Sequence, residues 1–204
     1  MLTLQKGGNL TLSKVDPGLK VLRLGAGWDP NQYDSGSEFD IDISAFVLGT
    51  NGKVIDLPGK APGEDTFLFY NQRALLNNAI VHSGDNRTGD GDGDDESIII
   101  DLAKLPAQVD RIVFVVTIHD ALAKGQNFGQ VPNSWVNLYN EEVYQTDPSK
   151  KLAFFELSEE FSTETSMVPV ELYKHNSEWK FKAVGAGYNG GLAEFCNDFG
   201  VQLG

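Results

Sequence analysis

A glycine-spaced acidic segment between two apolar segments most constrains how this chain can fold. Residues 85–96 read Asp-Asn-Arg-Thr-Gly-Asp-Gly-Asp-Gly-Asp-Asp-Glu, so that six acids accompany a single cation, Arg87. No apolar side chain interrupts the run, which therefore cannot bury hydrophobic surface, and its carboxylates repel one another. The segment must be a solvated loop, and the apolar segments on either side must build the scaffold.

A hard divalent cation would stabilise this acidic loop. Ca²⁺ takes about 6–8 oxygen ligands from carboxylates, amides, backbone carbonyls and water, in a geometry that tolerates irregular loops. Glycines between the acids let the backbone adopt φ > 0 and bend until neighbouring carboxylates converge. The run has no Cys or His, which argues against zinc or copper, and Mg²⁺ is the weaker candidate because it prefers regular octahedra. We predict a calcium site with the loop ligands Asp85, Asn86, Asp90, Asp92, Asp94, Asp95 and Glu96.

An EF-hand does not fit the loop. If Asp90 takes the first position of an EF-hand loop, Asp95 falls at the sixth, where glycine is needed, and Asp101 at the twelfth, where glutamate is usual. Residues 97–100 are Ser-Ile-Ile-Ile, which favours a strand where an EF-hand has a helix. The pattern therefore indicates a calcium-binding turn on a β scaffold. The alternative, and the commoner fate of a charge run, is an acidic loop that binds nothing.

Three acids outside the loop are further candidate ligands. Residues 39–48 begin with an alternating pattern that places Asp40 and Asp42 on one face of a strand and apolar side chains on the other. These aspartates either decorate a solvent-facing surface or, if this strand end lies beside the loop, complete its metal site. Asp120 follows the apolar segment 111–118 and could close the site, although a plain turn residue is nearly as common there.

The remaining pattern predicts an all-β protein. Short β-patterned segments with turn signals between them favour an antiparallel β-sandwich over alternating βαβ units. A short C-terminal helix should present Leu192, Phe195 and Phe199 on one face, and the absence of a linker favours one domain over residues 1–204. The predicted strands lie at 2–4, 10–12 (with 2–4 as a hairpin or as two sequential strands), 21–24, 39–48, 54–55 (after a hairpin turn at Asn51-Gly52), 66–70, 79–82, 97–102, 111–118, 135–139, 152–157, 166–173 and 178–184. Residues 25–30 read as a turn-rich loop, and residues 158–162 as a helical turn.

Charge and cysteine usage narrow the class of protein. The formal net charge of −13 disfavours nucleic acid and anionic membranes as direct partners, unless bound cations bridge them. Cys196 is the only cysteine, so no intrachain disulfide can form, which fits a reducing cytosol. The N-terminus lacks the apolar region of a signal peptide, and no apolar run approaches the ~18 residues of a membrane span. We therefore expect a cytoplasmic protein without a transmembrane segment.

Motifs along almost the whole chain share their order with one known family. They lie at residues 6–12, 27–29, 39–46, 83–96, 112–121, 127–131, 161–165 and 178–188. Together they resemble the TerD family of tellurite-resistance and general stress proteins. The resemblance implies a β-sandwich similar in outline to a C2 domain, with a pair of calcium ions held at one end by acidic loops. It also implies a cytoplasmic role in bacterial stress resistance, in complexes near the membrane with other stress-response or membrane-associated proteins, and no established catalysis. Residues 73–80 and 143–151 depart from the family pattern.

Three functions compete at this stage. The first is a calcium-binding, non-catalytic stress-response module. The second is a metal-dependent hydrolase acting on phosphate esters or oxyanions, in which two metals clamp an in-line displacement. Its only nearby candidate bases are His82 and His119, each more often a structural residue, and Cys196 reads as a packing thiol. The third is a calcium-gated interaction protein that docks a partner on exposed Trp28 and Tyr33, although core packing is the commoner role for Trp.

Overall fold

Two β-sheets form the body of the protein in the computed structural model, which describes residues 1–32, 36–157 and 163–202. The seven-stranded sheet has the order β1-β11-β10-β3-β8-β7-β6, and the six-stranded sheet has the order β2-β13-β12-β9-β4-β5. The strands are β1 Leu2–Thr3, β2 Asn9–Thr11, β3 Val21–Gly27, β4 Ile41–Leu48, β5 Phe67–Leu68, β6 Ala74–Leu75, β7 Ile80–His82, β8 Glu96–Asp101, β9 Arg111–Ile118, β10 Trp135–Asn140, β11 Ala153–Glu156, β12 Ser166–His175 and β13 Glu178–Tyr188. Adjacent strands pair antiparallel, except that β1 runs parallel to β11. The predicted antiparallel β-sandwich is confirmed.

Helices are short and peripheral in the described ranges. They are α1 Leu12–Val15, α2 Ala121–Lys124, α3 Glu141–Tyr144 and α4 Gly191–Phe199, with a 3-10 turn at Phe128–Gln130. The predicted C-terminal helix is α4, which buries Phe195 and Cys196. None of the helices in the described ranges combines the length and the apolar character that a bilayer crossing requires.

Strand β9 shows why an unbroken apolar run is needed at the centre of the six-stranded sheet. Ile112, Phe114 and Val116 alternate toward the core between the two sheets. Val113 and Val115 face the other side, in a second apolar cluster that also contains side chains of α4. Because both faces of β9 are covered, no position along its interior favours a polar residue.

The structure decides between the two predictions for the start of the chain, a hairpin or two sequential strands. The first two strands do not form a hairpin, because β1 pairs with β11 in one sheet and β2 pairs with β13 in the other. The intervening turn is attached to β13: Gly7 N–H donates to the carbonyl of Ala183, and Ala183 N–H donates to the carbonyl of Gly8. These bonds carry the chain from one sheet to the other, so the interpretation as two sequential strands is confirmed.

Other boundaries differ from the sequence prediction in instructive ways. Gly25 to Gly27, predicted as loop, forms the end of β3, since β3 has neighbours on both sides there. The predicted aromatic strand at 66–70 shrinks to β5, and Asn51-Gly52 makes a turn closed by one bridge between Leu48 and Val54. The predicted helical turn at 158–162 lies outside the described residues.

Candidate metal centre

Three carboxylates from separate segments meet at one end of the sandwich. Asp42 comes from β4, Asp85 from the acidic loop between β7 and β8, and Glu96 is the first residue of β8. One oxygen of each carboxylate lies within 4.8 Å of the corresponding oxygens of the other two. The N–H of Asn86 donates to Glu96 Oε1 at 3.1 Å, which ties the loop back to the strand that follows it.

The cluster forms where the edge of β4 is open. Strand β5 pairs with Ala45 and Phe46, so among the described residues the backbone of Ile43 has no strand neighbour on that side. Glu96 supplies an acceptor instead, because the Ile43 N–H donates to Glu96 Oε2 at 2.9 Å. His82 Nε2 lies 3.1 Å from the Ile43 carbonyl oxygen. Two side chains of the seven-stranded sheet therefore satisfy the open edge of the six-stranded sheet.

The imidazole of His82 is committed to this structural role. Gly84 N–H donates to Nδ1 at 3.0 Å, so the neutral ring carries its proton on Nε2. That proton faces the Ile43 carbonyl and Glu96 Oε2, which is 3.4 Å away. No ring lone pair remains for a metal, and the converging donors are carboxylate oxygens. This donor set suits a hard cation better than zinc or copper.

Two of the predicted ligands shape the acidic loop. Asn86 Oδ1 accepts from the N–H groups of Thr88 and Gly89, both at 3.1 Å, and Asn86 Nδ2 donates to Asp95 Oδ1 at 3.0 Å. Asp95 Oδ2 accepts from Trp28 N–H at 2.9 Å. Burial raises the pKa of Asp95 to about 6, although the Trp28 hydrogen bond acts in the opposite direction. Asn86 thus holds the loop in shape, and Asp95 attaches the loop to Trp28, the residue that follows β3.

Asp94 points away from the three-carboxylate cluster. Its Oδ1 accepts from Trp135 Nε1 at 3.0 Å and from Asn137 Nδ2 at 2.6 Å. These residues alternate with the core residues Val136 and Leu138 along β10, so Asp94 lies on the outer face of the seven-stranded sheet. There it packs over Gly25, where a Cβ atom would lie only 2.0 Å from Asp94 Oδ2. Asp94 fastens the end of the loop to the sheet.

Like charges dominate the electrostatics of the cluster. Burial and, after it, the charges of Glu96, Asp40 and Asp85 together raise the pKa of Asp42 to about 7. The exposed Arg87 partly compensates, with Nε 3.8 Å from Asp40 Oδ2 and 4.0 Å from Asp85 Oδ2. Asp40 and Asp42 are buried, which rules out the interpretation as solvent-facing decoration. The fold holds more negative charge here than its own cations neutralise.

The other predicted ligands lie outside the cluster. Asp90 and Asp92 are exposed in the loop. Asp120 is exposed, with a left-handed backbone at φ 55°, and its Oδ2 lies 3.6 Å from His119 Nε2. The other ring nitrogen, Nδ1, lies 3.6 Å from Asp42 Oδ2. The imidazole therefore separates Asp120 from Asp42.

Sequence reasoning missed several supporting residues and misplaced one. Trp135 and Asn137 hold Asp94, and the signal for them was an amide in the middle of an otherwise apolar strand pattern. Trp28 is only 2% exposed and donates from Nε1 to the Phe39 carbonyl at 3.0 Å, so the core-packing alternative is confirmed and Trp28 is not an exposed docking residue. Tyr33, predicted beside it, lies outside the described residues.

Comparisons with known proteins agree with this architecture. The model of the TerD domain matches residues 1–199. General stress protein 16U of Bacillus subtilis is 47% identical over 203 residues, covering 100% of this chain and 99% of that protein. The tellurium resistance protein TerD of Serratia marcescens is 48% identical over 201 residues, covering 98% of each chain.

A solved structure shows the same fold. The crystal structure of a homologue of the telluride resistance protein TerD from Streptomyces coelicolor superposes with a TM-score of 0.67 at 22% identity, covering 87% of this chain and 95% of that one. The family match spans nearly the whole chain, and the two bacterial relatives share almost half of its residues. This chain belongs to the TerD family.

Proposed function

We propose that this protein is a calcium-binding, non-catalytic module of the cytoplasmic stress response, of the type that its tellurium-resistance relatives represent. The names of those relatives, a general stress protein and a tellurium resistance protein, are not names of enzymes. In this proposal calcium loading changes the charge of one end of the sandwich. Other stress-response or membrane-associated proteins would recognise that change of charge.

The observation that carries the proposal is the convergence of Asp42, Asp85 and Glu96. Oxygens in one Ca²⁺ shell are about 2.3–2.6 Å from the ion, so two ligands on opposite sides are separated by roughly 5 Å. The mutual limit of 4.8 Å in the cluster fits within one such shell. Asp42 and Glu96 are buried, and carboxylates this close are destabilising unless a cation joins them, because the buried charges lose hydration and all three repel one another.

The chain offers a reasonable shell for the ion. Each Glu96 oxygen accepts one backbone hydrogen bond, and Asp42 and Asp85 add carboxylates of their own. Asp40 lies close enough to raise the pKa of Asp42 and would add charge near the ion. Backbone carbonyls and water would supply the remaining ligands. The bound cation would neutralise the cluster. Asp90, Asp92 and Asp120 remain predicted ligands.

Thermal unfolding in Ca²⁺, Mg²⁺ and EDTA tests the proposal. At a free Ca²⁺ concentration 100 times the Kd, binding only to the native state adds about 2.7 kcal/mol to the free energy of unfolding. We expect this increase in the parent protein and in Asp56→Asn, a control that removes an exposed carboxylate beyond the opposite end of β4. Asp85→Asn should lose this increase, because the substitution removes one of the three converging carboxylates. Asp85 is exposed, so the fold does not depend on burying its side chain. Superimposable curves in Ca²⁺ and EDTA would contradict the proposal, and calorimetric titration would give the stoichiometry.

A further inference from the structure

A cavity of about 440 Å³ lies beside the metal centre. It is bounded by α2, by the start of α4 and by the outer face of the six-stranded sheet, where Thr117 and Asp42 line it. Its volume falls in the range of about 300–1,000 Å³ that is typical of sites for small ligands. Asp42 thus borders two spaces, the carboxylate cluster on one side and this cavity on the other.

The polar part of the cavity is negatively charged. Asp42 is 5% exposed, and its carboxylate accepts no hydrogen bond within the part of the chain that the structure describes. Nδ1 of His119 lies 3.6 Å from Asp42 Oδ2, and Asp120 stands at the rim beyond the same imidazole. A buried carboxylate without a hydrogen-bond donor strongly favours a cationic ligand.

The remaining wall is apolar and aromatic. Tyr70 lines the cavity, with its ring roughly perpendicular to that of His119 at a centroid distance of 6.2 Å. Leu192 lines it from α4, and Leu122 lines it from α2. Leu122 is 81% exposed and is one of only three large apolar side chains in the described ranges that are exposed. An alkyl chain along these side chains would remove apolar surface from water.

We propose that this cavity binds an alkylammonium or alkylguanidinium ion, with the charged group at Asp42 and the alkyl chain against Leu122 and Leu192. An anion would be repelled by Asp42 and Asp120. A neutral apolar molecule would bury Asp42 further without giving it a counter-ion. The ligand is either a free amine or the side chain of a lysine or arginine on another molecule, and the two sources share this chemistry.

The cavity and the metal centre compete for Asp42. An organic cation hydrogen-bonded to this carboxylate neutralises a charge on which the calcium ion depends, so each ligand weakens the binding of the other. This competition rests on the proposed calcium site. The binding of the amine does not, because it is measured on metal-free protein.

Calorimetric titration of EDTA-treated, dialysed protein at pH 8 tests the proposal. The probes are 1,5-diaminopentane and agmatine as free amines, and the Nα-acetyl amides of lysine and arginine as side-chain mimics. We expect saturable binding of at least one pair, and tighter binding of the free amines or of the capped amino acids would identify the source. Asp42→Asn should weaken binding at least about tenfold, the usual effect of losing a hydrogen bond to a charged group. Leu122→Ala should weaken it about twofold to fivefold.

Matched variants keep the outcome unambiguous. Asp56→Asn removes one carboxylate far from the cavity and should leave the affinity unchanged. Asp120→Asn alters only an exposed rim residue and should weaken binding about twofold to threefold, so the cavity is tested even if Asp42→Asn fails to fold. Equal losses in Asp56→Asn and Asp42→Asn would reveal general attraction to an acidic protein and would overturn the proposal, as would the absence of saturable binding.

Failure of the cavity and failure of the calcium site give different results. Asp85→Asn should abolish calcium binding but leave amine binding intact, because Asp85 belongs to the cluster and does not line the cavity. If the variants change amine binding as predicted but the protein does not bind calcium, only the calcium site is refuted. Calcium binding without saturable amine binding would refute the cavity alone. Calcium that leaves the amine affinity unchanged would overturn the shared role of Asp42.

Discussion

At the scale of single residues, Asp42 and Glu96 show how two acids of one cluster can have opposite effects on stability. Glu96 accepts a backbone hydrogen bond on each oxygen, from Ile43 and from Asn86, and thereby joins β4, β8 and the acidic loop. Asp42 has no comparable donors among the described residues and is surrounded by like charges. Removal of the negative charge should therefore stabilise the metal-free protein at one position and destabilise it at the other.

Asp42→Asn should stabilise the metal-free protein. The pKa of Asp42 is raised from 3.8 to about 7, so between these values the native state binds a proton that the unfolded state does not. The stability contributed by this group therefore falls as the pH rises from about 4 to 7 and stays low above that. Asparagine removes the penalty, which is on the order of 2–4 kcal/mol at pH 8.

Urea unfolding in EDTA at pH 5 and at pH 8 measures this effect. The parent protein should lose more stability between the two conditions than Asp42→Asn does, and Asp56→Asn should behave like the parent. Parallel pH profiles for the parent and Asp42→Asn would show that the Asp42 carboxylate is not strained by burial and by its neighbours. The same variant should lose its response to calcium.

Glu96→Gln should destabilise the protein even though it removes a charge from the same cluster. The two backbone donors approach different carboxylate oxygens, so the amide group of glutamine must face one of them donor to donor. A buried N–H left without an acceptor costs about 1–3 kcal/mol. Urea unfolding in EDTA should show a loss of this size, with Asp85→Asn as the control that removes an exposed charge of the cluster. Equal stability of Glu96→Gln and the parent would contradict the structural role of Glu96.

At the scale of elements, the acidic loop is a clamp between the two sheets. Glu96 attaches the loop to the open edge of β4. Asp95 attaches it to Trp28, directly after β3, and Asp94 attaches it to β10. The loop approaches β3 closely because Gly25 has no side chain. The close approach explains why glycine occupies the interior of a strand, where it ordinarily weakens the structure.

Gly25→Ala should detach this clamp. The new Cβ atom would lie 2.0 Å from Asp94 Oδ2, so Asp94 must leave Trp135 and Asn137 or β3 must shift. We expect a loss of about 1–3 kcal/mol in stability and a weaker response to calcium. Gly18→Ala is the matched control, since its added Cβ atom meets only Asp16 Oδ1 at an ordinary 3.5 Å. Equal unfolding midpoints for the two variants would show that Asp94 can move without cost.

Sequence patterns identified the elements better than they identified their connections. Alternation correctly placed Asp42 opposite Ile41 and Ile43 in β4, and the apolar run at 111–118 correctly gave a central strand. Local pattern could not show that β1 and β2 belong to different sheets, because that depends on backbone bonds to residues more than 150 positions away. Asp85 and Asp94 lie in the same acidic loop, but Asp85 joins the carboxylate cluster and Asp94 accepts hydrogen bonds from β10. The sequence could not predict this difference, because it depends on contacts with distant residues.

At the scale of the whole molecule, the net charge and the metal centre are linked. The acidic loop alone contributes −5 (six acids less Arg87) of the total of −13. The core that lies between the sheets is one apolar cluster containing residues of both, such as Leu24 of β3 and Phe114 of β9. A ligand that relieves repulsion at one end of this unit should therefore stabilise all of it.

Differential scanning calorimetry should show one unfolding transition, and calcium should raise the Tm of that entire transition. A protein of this length gains roughly 2–4 °C in Tm for each kcal/mol, so the 2.7 kcal/mol expected at 100 times the Kd corresponds to an increase of roughly 5–10 °C. The shift should include the entire transition because Glu96 and His82 couple the centre to the edge of β4. Added NaCl should raise the Tm of the EDTA-treated protein more than that of the calcium-loaded protein, since salt screens the repulsion that calcium removes. A calcium-dependent transition separate from a fixed main transition would instead show that the loop folds on its own and that the sandwich does not sense the ion.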